Sequence, residues 1–552
     1  MMSPGRPPLT RRVLLTSSLL AVAGGALAGC DTPGADAKPG KKDEPLLTDG
    51  LSDEQLVGAV LMPYAYGNDA TAVSPGSAAG NQRIGGVDTP AQLLAKYHLA
   101  GLILVSATAD DPTKDTNPTT NVQSPAQARK LTDGLRAATK GLPPLIGIDQ
   151  EYGVVTRIKE GMALLPTGMA FGAADDAALT EAAWRMAGAE LAAVGVNVDF
   201  APSADVLGGP GNTVIGSRAY GSDPGLVGRH VAAAVKGLQH QGVAACPKHF
   251  PGHGHTDVDS HEGLPVLEQD RKTLDAQDIA PFREAISAGT WMIMSGHLDA
   301  RAIDPGVPSS LSRKVLVDVL RGELGFQGVV VSDALNMKAL SLPSGELAVK
   351  ALVAGNDLLL MPEDFKAAYQ GLLDALRSGA LPKARLVEAA GRVLALRKRL
   401  AGPERPGVES VNAEEHVAVA AKAAAAAVTV LRGTCPVKVP GPLRITCSPG
   451  NEQRVAWLTE ELRPWGVPVG ARGTHVHLTG YGDTAADLAP DAAVTVALDT
   501  PYVLGAAKSP TLIAVFGGTR AAMKALAAVL AGKAPARGRS PVTVPGLPAS
   551  SC

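Results

Sequence analysis

The chain has 552 residues, which is too long for one ordinary hydrophobic core and predicts two domains with additional segments. Its 51 basic and 53 acidic residues nearly balance and form no basic stripe, so we expect no nucleic-acid partner. Aromatic residues make up only 3%, but alternating apolar segments supply enough core for a globular protein.

The first thirty residues have the features of a bacterial export signal. Arg11 and Arg12 precede an apolar run that is too short for a spanning helix but suits a signal peptide. The run ends in Leu27-Ala28-Gly29-Cys30, which resembles a lipobox. We predict a lipoprotein signal peptide at 1–29, lipidation of Cys30, a flexible tether at 30–48 and an extracytoplasmic location anchored to the bacterial cell membrane. An ordinary cleaved signal with an incidental Cys30 is the alternative.

From 49 to 400, apolar β-like segments alternate with amphipathic helical segments. Eight such segments predict a parallel sheet, and their number favours a closed (β/α)8 TIM-type barrel over a doubly wound open sheet. The predicted strands are Leu56–Pro63, Leu99–Val105, Pro144–Asp149, Val196–Asp205, Val243–Phe250, Trp291–His297, Gly328–Asp333 and Asp357–Met361. The predicted helices are Pro125–Thr139, Ala178–Val194, Gly225–His240, Ala276–Ala288, Ser312–Leu324 and Asp364–Arg377.

The pattern changes after residue 400. A linker and an Ala-rich helix, His416–Ala427, occupy 401–427. Short apolar segments and a helical stretch, Arg520–Leu530, then predict a smaller C-terminal α/β domain at 428–552. We assign it no catalytic residue and expect it to pack against the barrel; positioning at the cell wall is the alternative.

Four cysteines remain after the export signal. An oxidising compartment permits disulfides, and four cysteines allow three connectivities. Cys435 and Cys447 flank a Pro/Gly turn and are able to pair, but either of them with Cys552 is equally allowed. Cys246 lies in an apolar run, and we expect it to be a buried free thiol.

Ionisable residues lie at or near the carboxyl ends of five of the predicted strands. The carboxyl ends of barrel strands meet at one end, so these residues are expected to share one cleft. A helix cap is the ordinary alternative for any single aspartate. The residues are Asp149, Asp199 with Asp205, Lys248 with His249, His297, and Asp333.

The loop 248–265 is the densest group of such residues. Its eighteen positions hold four histidines, two aspartates, a lysine and a glutamate, between glycines and prolines that restrict the backbone. A polar surface loop is one alternative. Another is a zinc site made by His253 and His255 with Asp257, Asp259 or His261, although no helical His-Glu-x-x-His pattern accompanies it.

Five segments together resemble family 3 glycoside hydrolases, specifically the bacterial β-N-acetylglucosaminidase branch. The resemblance spans about 50–400, and two departures are visible: His255 stands where that branch usually has Asp, and Tyr152 where it usually has Gly. Neither position carries the chemistry. The segments are 148–151 with Arg157, 216–221, 248–265, 308–312 and 323–333.

The resemblance implies how the reaction is divided among the residues. Asp333 is the carboxylate nucleophile of a retaining mechanism, and His261 is the proton donor and acceptor. Asp259 lies two residues earlier, on the same side of an extended segment, and can orient the His261 imidazole. The alternatives are a helix cap for Asp333 and an incidental His261. Because an imidazole does not repel anions, phosphate could also compete with water.

The same resemblance implies a sugar-binding set. Asp149 would accept from sugar hydroxyls, while the other members would donate to hydroxyls and to the N-acetyl group. Ion pairs that hold barrel loops are the alternative role for the arginines. We expect Asp257 and Glu262 to be solvated. The donor residues are Arg157, Arg218, Lys248 and His249.

These observations predict a lipid-anchored, monomeric, retaining exo-glycosidase that needs no cofactor or metal. It would release terminal β-linked N-acetylglucosamine from peptidoglycan fragments or related glycans. The alternatives are a family 3 β-glucosidase, an N-acetylglucosaminide phosphorylase, and a non-catalytic sugar-binding lipoprotein. The presence of Asp333, Asp259 and His261 together argues against the last.

Overall fold

Eight short parallel strands form the first half of the fold in a computed structural model, which describes residues 47–105, 121–256, 263–402 and 404–552. The predictions for Cys30 and the tether, and for Asp257, Asp259, His261 and Glu262, lie outside the described residues, except that 47 and 48 of the tether are described. Within the described part, no helix has the length and apolar character needed to cross a bilayer. The barrel strands are β1 Leu61–Met62, β2 Gly101–Leu104, β3 Leu145–Ile148, β4 Val198–Asp199, β5 Ala244–Ala245, β6 Met292–Ser295, β7 Val329–Ser332 and β8 Leu359–Leu360.

The strands close into a ring. Strands β2 to β5 form one parallel sheet, β6 pairs with β7, and β8 pairs with β1. Parallel bridges at Phe250–Ser295 and Val331–Leu358 connect β5 to β6 and β7 to β8. A hydrogen bond from Ile103 N to Pro63 O, 3.1 Å long, connects β2 to β1. The prediction of a closed barrel is confirmed, and the open sheet is excluded.

The strands are apolar on both faces because helices cover the outside and side chains fill the inside. Every residue of β2, β3, β6 and β7 is buried. Phe200, Met294 and Val331 belong to the cluster inside the ring. Burial of each such side chain stabilises the fold by roughly 1.5–3 kcal/mol.

Helices follow the strands, and many begin at a side-chain cap. Asp176, Asp223 and Asp364 each accept a hydrogen bond from the backbone N–H three residues later. Lys314–Glu323 is a π-helix. The α-helices of this part are Asp53–Gly58, Pro75–Gly85, Pro90–Lys96, Pro125–Ala137, Gly168–Ala174, Ala177–Ala193, Pro224–His240, Arg271–Gln277, Ala280–Ser287, Ser344–Ala354, Phe365–Ser378 and Lys383–Arg399.

Several predicted elements differ from the structure in type or extent, and the predicted strands Val196–Asp205 and Val243–Phe250 shorten to Val198–Asp199 and Ala244–Ala245. The segment predicted as the strand Leu56–Pro63 begins inside the helix Asp53–Gly58, because Ser52 and Gln55 form a capping box that starts a helix there. The predicted helix Ala276–Ala288 is split between Arg271–Gln277 and Ala280–Ser287. Pro281 lies in the first turn of the second helix, where a missing N–H is tolerated, whereas it would interrupt a continuous helix.

The C-terminal part is a separate five-stranded sheet, as the predicted α/β class requires. The strands are β9 Thr429–Arg432, β10 Leu443–Cys447, β11 Thr474–Thr479, β12 Val494–Ala497 and β13 Thr511–Ala514. Their order in the sheet is β9-β13-β12-β11-β10, and β9 alone among these strands runs antiparallel to its neighbour. The helices are Glu414–Ala427, Glu452–Leu462 and Arg520–Leu530.

The barrel and this sheet share an apolar cluster, and Leu46–Cys552 is one compact unit. Ile215 and Met169 of the barrel belong to the same cluster as Leu504 and Phe516 of the C-terminal part. The expectation that the C-terminal part packs on the barrel agrees with this cluster. Boundaries at 400 and 427 stay predictions.

One disulfide selects among the connectivities that the sequence left open. Cys435 pairs with Cys552, with their Cα atoms 5.7 Å apart. Cys246 is a buried free thiol, as predicted, and Cys447 is also free. The bond closes a loop of 117 positions and thereby restricts the unfolded chain.

Candidate active site

The ionisable residues at the strand ends lie on one end of the barrel, as the sequence predicts. Asp149 follows β3, Asp199 ends β4, and Lys248 with His249 follows β5. His297 and Asp333 follow β6 and β7. Because all eight strands are parallel, these positions surround a single mouth.

Lys248 is the central cation of this mouth. Its side chain is only 4% exposed, and its Nζ lies 2.7 Å from Asp149 Oδ1 and 2.6 Å from Glu151 Oε1. Burial opposes the charge of Lys248, but these two carboxylates outweigh it and raise the pKa of Lys248. Arg157 adds a longer contact, 3.4 Å, to Asp149 Oδ2. Burial raises the pKa of Asp149, but Lys248 and Arg157 bring it below its usual value, so Asp149 is ionised.

Arg218 grips Glu151 with two nitrogens. Its Nε and one terminal nitrogen donate to the two carboxylate oxygens of Glu151 at 2.8 and 2.9 Å, a bidentate geometry that fixes both groups. Burial raises the pKa of Glu151, yet Arg218 and Lys248 lower it to about 2. Glu151 is not among the site residues predicted from the sequence. The available signal was its position two residues after Asp149, which places it on the same side of an extended segment.

Asp205 holds both the backbone around His249 and the His249 imidazole ring in place. One of its oxygens accepts from His249 N at 3.1 Å and His253 N at 2.7 Å. The other lies 2.9 Å from His249 Nδ1. This contact leaves His249 Nε2 at the mouth, 3.4 Å from Arg218. Burial raises the pKa of Asp205, but His249 and His253 hold it below its usual value. Asp205 was predicted as a strand-end residue without a role.

Asp333 is held in its ionised form without a direct ion pair among the described residues. Its Oδ1 accepts from Ala334 N at 2.8 Å. Burial raises the pKa of Asp333, but the positive potential of His249 and His297, the Ala334 N–H and Lys248 outweigh burial and lower it. His297 is fixed between Ser310 Oγ at 2.7 Å and Ala334 O at 3.0 Å. A carboxylate in this state suits a nucleophile.

Two histidines within the loop 248–265, the His-rich loop, contact different partners. His253 Nδ1 contacts Thr256 Oγ1 at 2.9 Å, whereas His255 Nδ1 contacts Asp278 Oδ1 at 2.8 Å. No group of three potential metal ligands exists within the described ranges. His253 and His255 are thus engaged separately, and the other ligands of the zinc alternative lie among residues 257–262, which are not described.

Tyr152 explains one departure from the family pattern. Its φ is +66°, in the left-handed region where glycine is favoured. The ring is buried and meets Trp184 edge-to-face, with 5.8 Å between ring centroids. Packing of the ring therefore offsets part of the cost of the backbone conformation.

Comparisons with known proteins agree with this geometry. Residues 84–396 match the model of the Glycosyl hydrolase family 3 N terminal domain. A solved glycoside hydrolase family 3 beta-N-acetylglucosaminidase from a Paenibacillus species is 32% identical, with a TM-score of 0.79, over 90% of this chain and 99% of that one.

Curated relatives match a shorter region. Beta-hexosaminidase A of Pseudoalteromonas piscicida is 35% identical over 341 residues, which are 56% of this chain and 55% of that protein. The chain therefore spans about half the length of this relative. A beta-hexosaminidase of Alkalilimnicola ehrlichii is 40% identical over 46% of this chain and 75% of its own length.

A closed parallel barrel with ionised carboxylates and buried cations at the carboxyl ends of its strands has the arrangement of a TIM-barrel enzyme. The chain belongs to glycoside hydrolase family 3. The family prediction made from the sequence is confirmed.

Glu151→Gln tests the buried network. Glutamine keeps the shape but removes the charge that faces Arg218 and Lys248, so the free energy of unfolding at pH 7 should fall by about 3–5 kcal/mol. Glu151 has a folded-state pKa of about 2 against an ordinary 4.5. Its contribution is therefore complete above about pH 4.5 and is lost as the pH falls toward 2. Urea unfolding should show that the difference in the free energy of unfolding between the unmodified protein and Glu151→Gln becomes smaller as the pH falls from about 4.5 toward 2.

Glu181→Gln is the matched control, because Glu181 pairs with Arg185 on the solvent-facing side of the helix Ala177–Ala193, where the side chains are 35% and 45% exposed. It should change the free energy of unfolding by no more than about 1 kcal/mol. A Glu151→Gln variant as stable as the control would contradict the role of the network.

Proposed function

We propose that the chain is a retaining exo-glycosidase that hydrolyses terminal, non-reducing β-linked N-acetylglucosamine. The observation that carries the proposal is the ionised Asp333 at the barrel mouth that also holds Asp149, Lys248 and Arg218. Relatives named beta-hexosaminidase and a structural neighbour named beta-N-acetylglucosaminidase support the choice of sugar.

In the first step, an Asp333 oxygen attacks the anomeric carbon as the bond to the leaving oxygen breaks. His261 gives its proton to that oxygen, and a glycosyl ester of Asp333 remains. In the second step, water attacks the same carbon and releases Asp333 while His261 takes the proton. The role of His261, oriented by Asp259, rests on the family resemblance.

The remaining residues divide recognition from reaction. Asp149 offers carboxylate oxygens to sugar hydroxyls, and Lys248 keeps it ionised. Arg157, Arg218 and His249 supply donors to hydroxyls and to the N-acetyl group. The buried cations thus serve both the ion network and the sugar.

A glucosidase of the same family is the competing function. The rate on an aryl β-N-acetylglucosaminide compared with that on the aryl β-glucoside separates them, and preference for the glucoside would overturn the sugar assignment. Phosphate added to the assay should leave free N-acetylglucosamine as the product; a sugar phosphate would indicate phosphorolysis. Peptidoglycan fragments are the proposed natural substrates because the first thirty residues resemble a bacterial export signal.

Asp333→Asn should reduce turnover of the aryl N-acetylglucosaminide by at least a thousandfold, roughly the scale of losing a covalent nucleophile. An amide cannot form the ester, while the fold should be retained because the shape is unchanged. A fluorinated hexosaminyl substrate should label the unmodified protein on the peptide that contains Asp333. Labelling of a different carboxylate would contradict the assignment.

His261→Ala should slow substrates with poor leaving groups more than activated aryl substrates, since only the former need a proton on departure. The measurement is kcat/KM across a series of aglycones of increasing pKa. A steeper dependence than in the unmodified protein is expected. The same loss for every aglycone would contradict the proton-transfer role.

We also propose that lipid on Cys30 anchors the protein to the outer side of the cell membrane. The lipobox-like Leu27-Ala28-Gly29-Cys30 supports this location. Cys30→Ala, expressed in a bacterial host, should move the protein from the membrane fraction to a fraction that lacks membranes. Membrane association that survives the substitution would contradict a lipid anchor.

A further inference from the structure

We propose that Asp499, in the C-terminal sheet, is a positioning residue for sugar binding: through Ser217 it holds the turn that carries Arg218. The inference rests on the proposed function, in which Arg218 donates to the bound sugar. It gives the C-terminal part, to which the sequence assigned no role in the site, a defined effect on substrate affinity.

The turn lies between the barrel mouth and the C-terminal sheet. Gly216–Arg218 is a short 3₁₀ turn in the segment that leaves β4. On the barrel side, Asn212 donates to His253 O at 2.7 Å and accepts from Ile215 N at 2.9 Å. These bonds fix the start of the segment to the backbone of the His-rich loop.

On the other side, the Ser217 hydroxyl donates to Asp499 Oδ1 across 282 positions of sequence. Ser217 is 2% exposed. Asp499 lies two residues after the carboxyl end of β12, beyond the last residue of a regular strand. A buried hydroxyl that donates to an ionised carboxylate forms one of the stronger kinds of hydrogen bond. Burial raises the pKa of Asp499, and the bond from Ser217 opposes that rise.

Two further contacts belong to the same contact surface. Tyr481, after β11, reaches Thr213 O with its hydroxyl at 3.5 Å. Ile215 packs in the apolar cluster that includes Leu504 and Phe516. These contacts hold the segment against the sheet, and the Ser217–Asp499 bond fixes the residue next to Arg218.

Arg218 depends on this support because its guanidinium has a demanding geometry. It must face Glu151 with two nitrogens, donate to Val214 O at 3.1 Å, and still present a donor to the sugar. Displacement of the turn by even 1 Å would spoil such directional bonds, and displacements of this size can change rates by roughly a hundredfold. Since Arg218 binds the sugar without taking part in bond breaking, the loss should appear mainly in KM.

The test compares four single variants of the full chain: Asp499→Ala, Ser217→Ala, Asp499→Asn and Asp491→Ala. Asparagine keeps an oxygen that can accept from Ser217, so it should restore much of the lost affinity. Asp491 is the matched control, because it is an exposed carboxylate that precedes the same strand and contacts Arg444 instead. Thermal unfolding of each variant verifies that it folds.

Asp499→Ala and Ser217→Ala should each raise KM for the aryl N-acetylglucosaminide about tenfold, with kcat within about twofold. The double variant Ser217→Ala/Asp499→Ala should have a KM no higher than that of either single variant, because both substitutions remove the same bond. The KM of Asp499→Asn should lie between that of Asp499→Ala and that of the unmodified protein. The KM of Asp491→Ala should equal that of the unmodified protein. Unchanged KM in both alanine variants would overturn the inference, as would an equal effect of Asp491→Ala.

Amide hydrogen exchange of the peptide spanning 211–219 separates this inference from the proposed function. Exchange should be faster in Asp499→Ala and Ser217→Ala than in Asp491→Ala, whichever sugar the enzyme prefers. Unchanged exchange would overturn the inference even if the enzyme is a hexosaminidase. Faster exchange with unchanged KM would also overturn it, because the turn would then not control Arg218. An unmodified protein inactive on the N-acetylglucosaminide would refute the proposed function alone.

Discussion

The buried ion network around Lys248 is the interaction on which the mouth of the barrel depends. Lys248 follows β5, whereas Asp149 and Glu151 follow β3, so the ammonium links strand ends that are not neighbours in the barrel. Removing charges from water is costly, and a buried network persists only when its geometry offsets that cost. Here the bidentate contact of Arg218 with Glu151 completes the set. The network therefore fixes the shape of the mouth and keeps Asp149 ionised for a sugar.

This arrangement separates two kinds of carboxylate. Asp149 and Glu151 contact cations directly, and their charges are largely compensated. Asp333 instead receives the Ala334 N–H and the potential of nearby histidines, without a direct ion pair among the described residues. Its lone pairs thus remain available to a substrate carbon while its pKa stays low. The different surroundings of these carboxylates therefore suit them to different roles, as is common in hydrolases with several acidic residues.

The C-terminal part adds a directional hydrogen bond, between Ser217 and Asp499, to its contact with the barrel. Its contact with the barrel combines an apolar cluster with hydrogen bonds, such as Thr167 Oγ1 to Phe516 O at 2.7 Å, and the Ser217–Asp499 bond is one of these. An apolar contact supplies stability but tolerates small rotations, whereas a buried hydrogen bond specifies direction. The disulfide between Cys435 and Cys552 closes the C-terminal part of the chain and restricts its unfolded state.

The sequence by itself determined the barrel, the strand ends that carry the site and the family, because apolar runs at regular spacing and ordered motifs are local properties of the chain. The capping box at Ser52 and the proline at 281 are local signals too, and they account for the helix at 53–58 and for the break between the helices Arg271–Gln277 and Ala280–Ser287. Tertiary structure alone decided which cysteines pair, that Glu151 joins Arg218 to Lys248, and that Asp499 reaches Ser217. Those contacts join residues up to 282 positions apart, and their geometry is set by how packed layers meet, which no local pattern of residues encodes.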